Sequence, residues 1–288
     1  MGAITDWMTE GSDGEPIEVS TTRATMTPRA HAVIVHGFLG YKDYGMLPRL
    51  GERLAEAGLM AHRINLSHAG VRGDPSTFSR PDLFERDTWR KQAFDIGAVL
   101  DAVCAGQSPA GDSPQPLEIA LIGHSRGGVG CLLAAAERLE SGRWPKPARV
   151  ITLAAPSTCC SWDQATRRRV LEDGFHEVRS SRTGQALRVG RSWLQEQLDD
   201  PGWHDLPGRI GAIGCPVLVM HGAEDPTVPV SSAGEIAGAI GANAEPVVIA
   251  GGDHVFNTPN PLPPGEPESP QLLEAIERTI AFLEPLGR

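Results

Sequence analysis

Residues 119–130 read Ile119-Ala120-Leu121-Ile122-Gly123-His124-Ser125-Arg126-Gly127-Gly128-Val129-Gly130. The four apolar residues at the start predict a strand that is buried on both faces, and residues 129–139 have a helix-forming composition. Only a tight turn fits between such a strand and such a helix. Gly123 and Gly127 flank Ser125 at the spacing G-x-S-x-G, because a sharp reversal leaves no room for a β-carbon there. The segment therefore predicts a strained turn that lifts the Ser125 hydroxyl clear of a sheet.

The chemistry that this turn offers depends on the helix behind it. A helix N-terminus presents free N–H groups and a partial positive charge, which suits an oxyanion that develops beside Ser125. The alternative is a glycine-rich turn that carries an ordinary surface serine. Because a strand precedes the motif and a helix follows it, we interpret the segment as a nucleophile elbow.

The rest of the chain alternates strand-like and helix-like segments. Apolar strand patterns cover residues 30–36, 59–66, 148–154, 216–221 and 246–250, and helical patterns cover residues 47–57, 89–104, 231–240 and 271–286. One further edge strand is predicted at residues 17–22. Strands that alternate with helices require a mostly parallel sheet covered on both faces, so the sequence predicts a doubly wound α/β fold.

This alternation breaks between Ser157 and Gly214. Polar helical patterns there surround a short alternating segment, residues 175–189, which contains a turn at Arg182-Thr183-Gly184. We interpret residues 157–214 as an inserted cap of helix, hairpin and helix. Residues 1–156 and 215–288 then form the core domain.

Composition narrows the classes of partner. The 26 basic and 36 acidic residues give a formal net charge of −10, which argues against a nucleic-acid or anionic-membrane partner. The five cysteines show no C-x-x-C spacing, so neither a disulfide framework nor a zinc site is indicated. The first residues resemble no secretion signal, and no apolar run reaches about 18 residues. We therefore expect a cytoplasmic protein.

Polar side chains follow four of the predicted strands. Ligands in open α/β sheets bind at the carboxyl ends of the strands. The segments found there are His36-Gly37-Phe38, the Ser125 turn, Gly222-Ala223-Glu224-Asp225 and Gly251-Gly252-Asp253-His254. A serine, an acid and a histidine are thus expected at one edge of the sheet.

These four segments, in the chain order Ser125, Asp225, His254, resemble the signature motifs of the α/β-hydrolase superfamily. Within it they most resemble the dienelactone hydrolase-like and prolyl oligopeptidase-like esterases. The resemblance covers residues 30–286. It implies the α/β-hydrolase fold, with a sheet of seven or eight strands and a small cap. The segment before His31 is shorter than the two-strand start common in the family, which is why a sheet of seven strands stays open beside one of eight.

The resemblance also implies a role for each residue. Ser125 would attack a carbonyl, His254 would take the serine proton, and Asp225 would orient and stabilise the imidazolium. Glu224 and Asp253 are rivals for the acid. Asp225 is preferred because family members place the acid just before a proline or turn, as in Asp225-Pro226.

The backbone N–H groups of Phe38 and Arg126 would form the oxyanion hole. Only these amides are expected to act, with the Arg126 side chain solvated or paired nearby and His36, His124 and His221 structural. Leu39, Trp162, Phe175 and Trp193 are the candidate residues of a substrate pocket, although aromatic residues at helical spacing more often serve packing.

The expected function is that of a cofactor-independent serine carboxylesterase, which cleaves small or medium acyl esters through an acyl-enzyme on Ser125. No H-E-x-x-H, P-loop or G-x-G-x-x-G motif calls for a metal or a cofactor. The alternatives are a small-peptide or amide hydrolase and a non-catalytic binding protein on a hydrolase fold. The expected partner is a small-molecule ester, and the oligomeric state stays open, a homodimer included.

Overall fold

The computed structural model describes residues 2–108, 118–263 and 265–287. Within these ranges the elements are, in chain order, β1 (Ile4–Glu10), β2 (Pro16–Thr22), β3 (Ala30–Val35), α1 (Leu47–Glu56), β4 (Leu59–Asn65), α2 (Pro81–Glu85), α3 (Trp89–Cys104), β5 (Ile119–His124), α4 (Arg126–Glu140), β6 (Arg149–Leu153), α5 (Gln164–Asp173), β7 (Phe175–Arg179), β8 (Ala186–Gly190), α6 (Arg191–Asp199), α7 (Leu206–Ile210), β9 (Val217–Gly222), α8 (Ser231–Ile240), β10 (Ala244–Ile249) and α9 (Pro270–Leu283). None of these helices is both long and apolar enough to cross a bilayer.

The main sheet has eight strands in the order β1-β2-β4-β3-β5-β6-β9-β10. β2 is antiparallel to both of its neighbours, and all other neighbouring strands are parallel. The register pairs Val35 with Gly123 and Gly123 with Thr152, so β3, β5 and β6 end at one edge. The predicted α/β-hydrolase fold is confirmed, with eight strands.

The sheet has the larger of the two expected numbers of strands because it begins with β1, which was not predicted. This strand pairs antiparallel with β2 over its whole length. Its burial alternates between half-exposed and exposed residues, and Met8 is 67 % exposed. An edge strand with so little buried apolar surface shows no clear hydrophobic pattern in the sequence.

The core has two layers because alternate side chains of each central strand point to opposite faces of the sheet. On one face Val33, Val35 and Leu121 pack with α3 and α4. On the other face Ile34 and Ile122 pack with α1 and α9. Every residue of β3 and of β5 is buried, which explains why both strands read as unbroken apolar runs.

Residues 157–214 contain α5, the β7–β8 hairpin, α6 and α7. The hairpin is a separate two-stranded antiparallel sheet. The hairpin packs on the core through the buried Leu187 and Val189 of β8. Gln185, in the turn before β8, adds two hydrogen bonds: its Oε1 accepts from the Phe78 amide at 2.8 Å, and its Nε2 donates to the Phe78 carbonyl at 3.3 Å. The helix, hairpin and helix expected here are present, and the short helix α7 follows them.

Candidate active site

Ser125 lies at the turn between β5 and α4, with φ 52° and ψ −123°. A β-carbon on Gly123 would lie 2.2 Å from the Gly127 carbonyl oxygen, and one on Gly127 would lie 2.5 Å from the Val35 carbonyl oxygen. Only glycine fits at both positions. A non-glycine residue in this conformation is strained, and the neighbouring strand holds it, because the Ser125 amide donates to the Leu153 carbonyl at 2.7 Å.

Asp225 and His254 are joined by a hydrogen bond from His254 Nδ1 to Asp225 Oδ2 at 2.8 Å. The other carboxylate oxygen accepts from the amides of Thr227 and Val228 at 2.7 and 2.9 Å. The Asp225 side chain is fully buried. Burial raises the pKa of Asp225, but the hydrogen bonds from Val228, His254 and Thr227 outweigh it and hold the pKa below its usual value. Asp225 therefore stays ionised beside the imidazole.

A second imidazole contacts the same carboxylate. His221 Nε2 lies 3.1 Å from Asp225 Oδ2 and 3.1 Å from the Val228 carbonyl oxygen. No described residue bonds to the buried Nδ1 of His221, whereas Nε2 faces two oxygen acceptors, so the hydrogen-bonding proton is assigned to Nε2. His221 was expected to be structural, and its contact with the Asp225 carboxylate was not predicted. The spacing of four residues between His221 and Asp225 was nevertheless visible in the sequence.

His254 is held beside the Ser125 turn. The ring of His124, the residue before Ser125, lies 4.9 Å from the His254 ring, and His124 Nε2 donates to the His254 carbonyl at 2.9 Å. Burial lowers the pKa of His124 to about 4, so this donor is neutral. The chain thus brings Ser125, His254 and Asp225 to one edge of the sheet. Of the rivals for the acid, Glu224 is exposed and Asp253 accepts from the amides of its own turn.

The loop after β3 lies against the same turn. A β-carbon on Gly37 would lie 2.9 Å from the Ser125 β-carbon, so the backbone approaches as closely as a glycine allows. His36 Nδ1 donates to the Gly37 carbonyl at 2.8 Å and fixes the loop. The amides of Phe38 and Arg126 donate to no acceptor among the described residues. Two free N–H groups therefore remain beside Ser125.

The Arg126 side chain is half-buried and packs on aromatic rings, a contact that was not expected. Its guanidinium lies over the rings of Phe38 at 4.0 Å and Trp193 at 4.1 Å. It makes no hydrogen bond or ion pair within the described ranges. Burial lowers the pKa of Arg126 to about 10, which leaves the group charged at neutral pH. The rings of Phe38 and Trp193 therefore pack on the cation, and no carboxylate of the described residues pairs with it.

A small cavity of about 20 Å³ is bordered by Arg126. The residues that matter for its chemistry are Gly37, Phe38, Leu39, Asp87, Gln92 and Arg126. Burial raises the pKa of Asp87 to about 7, against hydrogen bonding from Gln92 and the charge of Arg126. Asp87 and Gln92 were not predicted as site residues, because they belong to no sequence motif. They come from a loop and a helix that are far from Ser125 in the chain.

The four candidate pocket residues have different surroundings. Leu39 borders the cavity with a positive φ of 58°. Trp193 is buried against Trp89 and Arg126. Trp162 packs against His176, and Phe175 lies under Arg188 of the hairpin. Neither Trp162 nor Phe175 borders the cavity. Over the described ranges no cluster of three His, Cys, Asp or Glu side chains is arranged as a metal site.

Residues 32–263 match the sequence model of the alpha/beta hydrolase family. The chain therefore belongs to that family. No curated protein matches the sequence.

Several solved structures share the fold at low sequence identity. The esterase domain of a Rhodothermus marinus protein is 18 % identical, with a TM-score of 0.65 over 99 % of this chain and 100 % of that one. A dienelactone hydrolase from Anabaena variabilis is 16 % identical, with a TM-score of 0.62 over 99 % of both chains. A puromycin-hydrolyzing peptidase from Mycobacterium tuberculosis is 16 % identical, with a TM-score of 0.67 over 99 % of this chain and 40 % of that one.

Proposed function

We propose that the protein is a cofactor-independent serine carboxylesterase that acts on small or medium acyl esters. The observation that carries the proposal is the juxtaposition of a strained Ser125 turn with the hydrogen-bonded His254 and Asp225. An imidazole oriented by an ionised carboxylate is the arrangement that activates a serine hydroxyl. The esterase and dienelactone hydrolase among the structurally similar proteins support the same reaction class.

In this mechanism Ser125 Oγ attacks the ester carbonyl while its proton passes to His254 Nε2. The carbonyl oxygen becomes an oxyanion that accepts from the amides of Phe38 and Arg126. The bond to the alcohol then breaks, and His254 returns the proton to the departing oxygen. A water molecule repeats the sequence on the acyl-enzyme, giving the acid and free Ser125. Asp225 stabilises the imidazolium in both halves.

Hydrolysis of p-nitrophenyl acetate and butyrate by the purified protein tests the proposal. We expect Ser125→Ala to lower kcat by about 10⁴-fold or more. Ser141→Ala, at the far end of the same helix, is the control and should keep the rate of the unchanged protein. Equal rates for Ser125→Ala and Ser141→Ala would contradict the proposal.

A matched pair of substrates distinguishes an esterase from the alternative, an amide or peptide hydrolase. The p-nitroanilide of the same acyl group should turn over much more slowly than the p-nitrophenyl ester. A faster anilide reaction would place the activity with the peptide and amide hydrolases. Absence of both reactions, together with no labelling of Ser125 by a fluorophosphonate, would indicate a binding protein.

A further inference from the structure

The Arg126 guanidinium presents unused hydrogen-bond donors beside the proposed reaction centre. Arg126 directly follows Ser125 and is the first residue of α4. The rings of Phe38 and Trp193 lie 4.0 and 4.1 Å from the guanidinium carbon, so the group is held by its aromatic contacts. No acceptor for its N–H groups is found among the residues that the structure describes. A guanidinium held in this way offers a fixed fork of donors at its edge.

Nearby negative charge does not neutralise this cation. Asp87 is the acid whose charge acts most strongly on Arg126, but no carboxylate oxygen of a described residue lies within 4.0 Å of the guanidinium nitrogens. Burial raises the pKa of Asp87 to about 7, so near neutral pH much of this carboxyl is protonated. Gln92 donates a hydrogen bond to it. No ion pair among the described residues therefore occupies the guanidinium, and its donors stay open to an anion.

The space at the edge of the guanidinium limits what can bind there. The cavity of about 20 Å³ has room for one or two water-sized groups. This matches the two oxygens of a carboxylate and is too small for a ring. Phe38, whose amide is a proposed oxyanion donor, forms one wall, so the cavity adjoins the proposed oxyanion hole.

We propose that Arg126 is a specificity-determining residue that binds a carboxylate of the substrate, so that the preferred esters are anionic. The inference rests on the proposed esterase function and specifies its substrate class. The carboxylate can belong to the acyl part, as in a half-ester of a dicarboxylic acid, or to the alcohol part. Both sources present the same planar, bidentate acceptor to the guanidinium.

Two pairs of esters distinguish these sources. Monomethyl glutarate and methyl pentanoate differ by a carboxylate on the acyl part, and 4-acetoxybenzoate and 4-methylphenyl acetate differ by one on the alcohol part. The measurement is kcat/KM at pH 7 in a pH-stat. In at least one pair we expect the charged-to-neutral ratio to fall about 10- to 100-fold in Arg126→Met, as for a lost hydrogen bond to a charged group. The pair that responds identifies the source.

Two further variants control the result. Arg182→Met removes another arginine that lies over two aromatic rings, those of Tyr41 and Phe78, at a place that does not border the cavity. Its ratios should equal those of the unchanged protein. Arg126→Lys keeps the charge without the planar fork and should give intermediate ratios, which also tests the proposal if Arg126→Met does not fold. Unchanged ratios in both Arg126 variants would overturn it.

A binding measurement keeps this inference separate from the proposed reaction. Glutarate is titrated calorimetrically into Ser125→Ala and into Ser125→Ala with Arg126→Met or Arg126→Lys. We expect binding to weaken at least about tenfold on loss of the guanidinium. If all four esters are inert while this difference remains, the esterase function fails and the carboxylate site stands. Equal glutarate affinity in the three proteins would overturn the site.

Discussion

Gly123 has the closest backbone contacts in the Ser125 turn, so this position should tolerate a larger side chain least. Gly123→Ala would place a methyl group 2.2 Å from the Gly127 carbonyl oxygen and 2.4 Å from the Gly128 amide nitrogen. Because both are backbone atoms, the turn must open and Ser125 must move. We expect a loss of more than about 3 kcal/mol in the free energy of unfolding, together with loss of the proposed ester hydrolysis. Urea unfolding followed by tryptophan fluorescence, with p-nitrophenyl acetate assays, measures both.

Gly234→Ala is the matched control for that substitution. Gly234 is an exposed residue inside α8, and no atom lies within 4 Å of the β-carbon position. Alanine there should raise the free energy of unfolding by about 0.5–1 kcal/mol, because glycine weakens a helix interior. If Gly123→Ala and Gly234→Ala changed the free energy of unfolding equally, the close approach of the backbone to Gly123 would be contradicted.

Asp87 provides a test by pH. Its pKa is raised to about 7 in the folded protein, mainly by burial, above the ordinary value of 3.8. The folded state therefore binds its proton more tightly than the unfolded state, and this stabilisation is lost as pH rises through 7. Relative to the unchanged protein, Asp87→Asn should gain about 1–3 kcal/mol in free energy of unfolding between pH 5 and pH 8.

Urea unfolding at both pH values checks this gain. The exposed Asp173 at the end of α5 supplies the control variant Asp173→Asn, whose stability difference should stay flat with pH. A flat difference for Asp87→Asn as well would show that Asp87 is ionised in the fold without cost.

At the scale of single residues, the sequence predicts positions better than surroundings. Ser125 and His254 can be found from the sequence because glycines and strand ends mark them. The surroundings of Arg126 cannot, because they depend on Trp193, which comes from α6, a distant part of the chain. For the same reason, the sequence does not reveal that Asp87 lies near Arg126 and borders the same cavity.

At the scale of elements, buried segments are predicted well and exposed ones poorly. Helix α3 runs from Trp89 to Cys104, the range that its apolar spacing predicts, since one face packs on the sheet. Strand β1 was missed because its residues alternate between half-exposed and exposed. A buried element must carry apolar residues at regular spacing, and this spacing is visible in the sequence. An edge strand that buries little surface does not need that pattern.

Gln185 adds hydrogen bonds to the apolar contacts that hold the hairpin of residues 175–190 on the core. Its side-chain amide bonds to both the amide and the carbonyl of the buried Phe78. Gln185→Ala would leave these backbone groups without partners, so we expect a loss of about 1–3 kcal/mol in the free energy of unfolding and faster hydrogen exchange at Phe78. Gln195→Ala, which removes an exposed amide on α6, should change neither. Unaltered exchange at Phe78 in Gln185→Ala would show that the hairpin is held by other contacts.

At the scale of the whole molecule, the parallel order of the sheet follows from the alternation of strands and helices. The position of residues 157–214 does not, because it rests on contacts between segments that are distant in the chain, such as the Gln185 side chain with the Phe78 backbone. These residues supply Trp193 to the candidate site. The family of reactions can thus be inferred from local motifs, whereas the substrate depends on packing between remote segments.

Buried histidines are spread through the whole molecule and should set its stability in acid. Burial lowers the pKa of His31, His36, His68 and His124 to about 4, and that of His62 well below its ordinary value of 6.5. His31 and His62 also stack at 5.1 Å and share a hydrogen bond. Because the unfolded chain takes up these protons first, the stability contributed by neutral histidines is lost as pH falls from 6.5 towards 4.

Each such histidine contributes up to about 3 kcal/mol, and an ordinary domain is stable by about 5–15 kcal/mol in all. We therefore expect acid unfolding to begin well above pH 4. The urea midpoint, measured by tryptophan fluorescence between pH 8 and pH 4.5, should fall steeply below pH 6.5. His31→Gln should make this fall shallower, whereas His176→Gln, at a partly exposed position, should leave it unchanged. A urea midpoint that stays constant down to pH 5 would show that these imidazoles can be protonated in the folded chain, against the cost that their burial imposes.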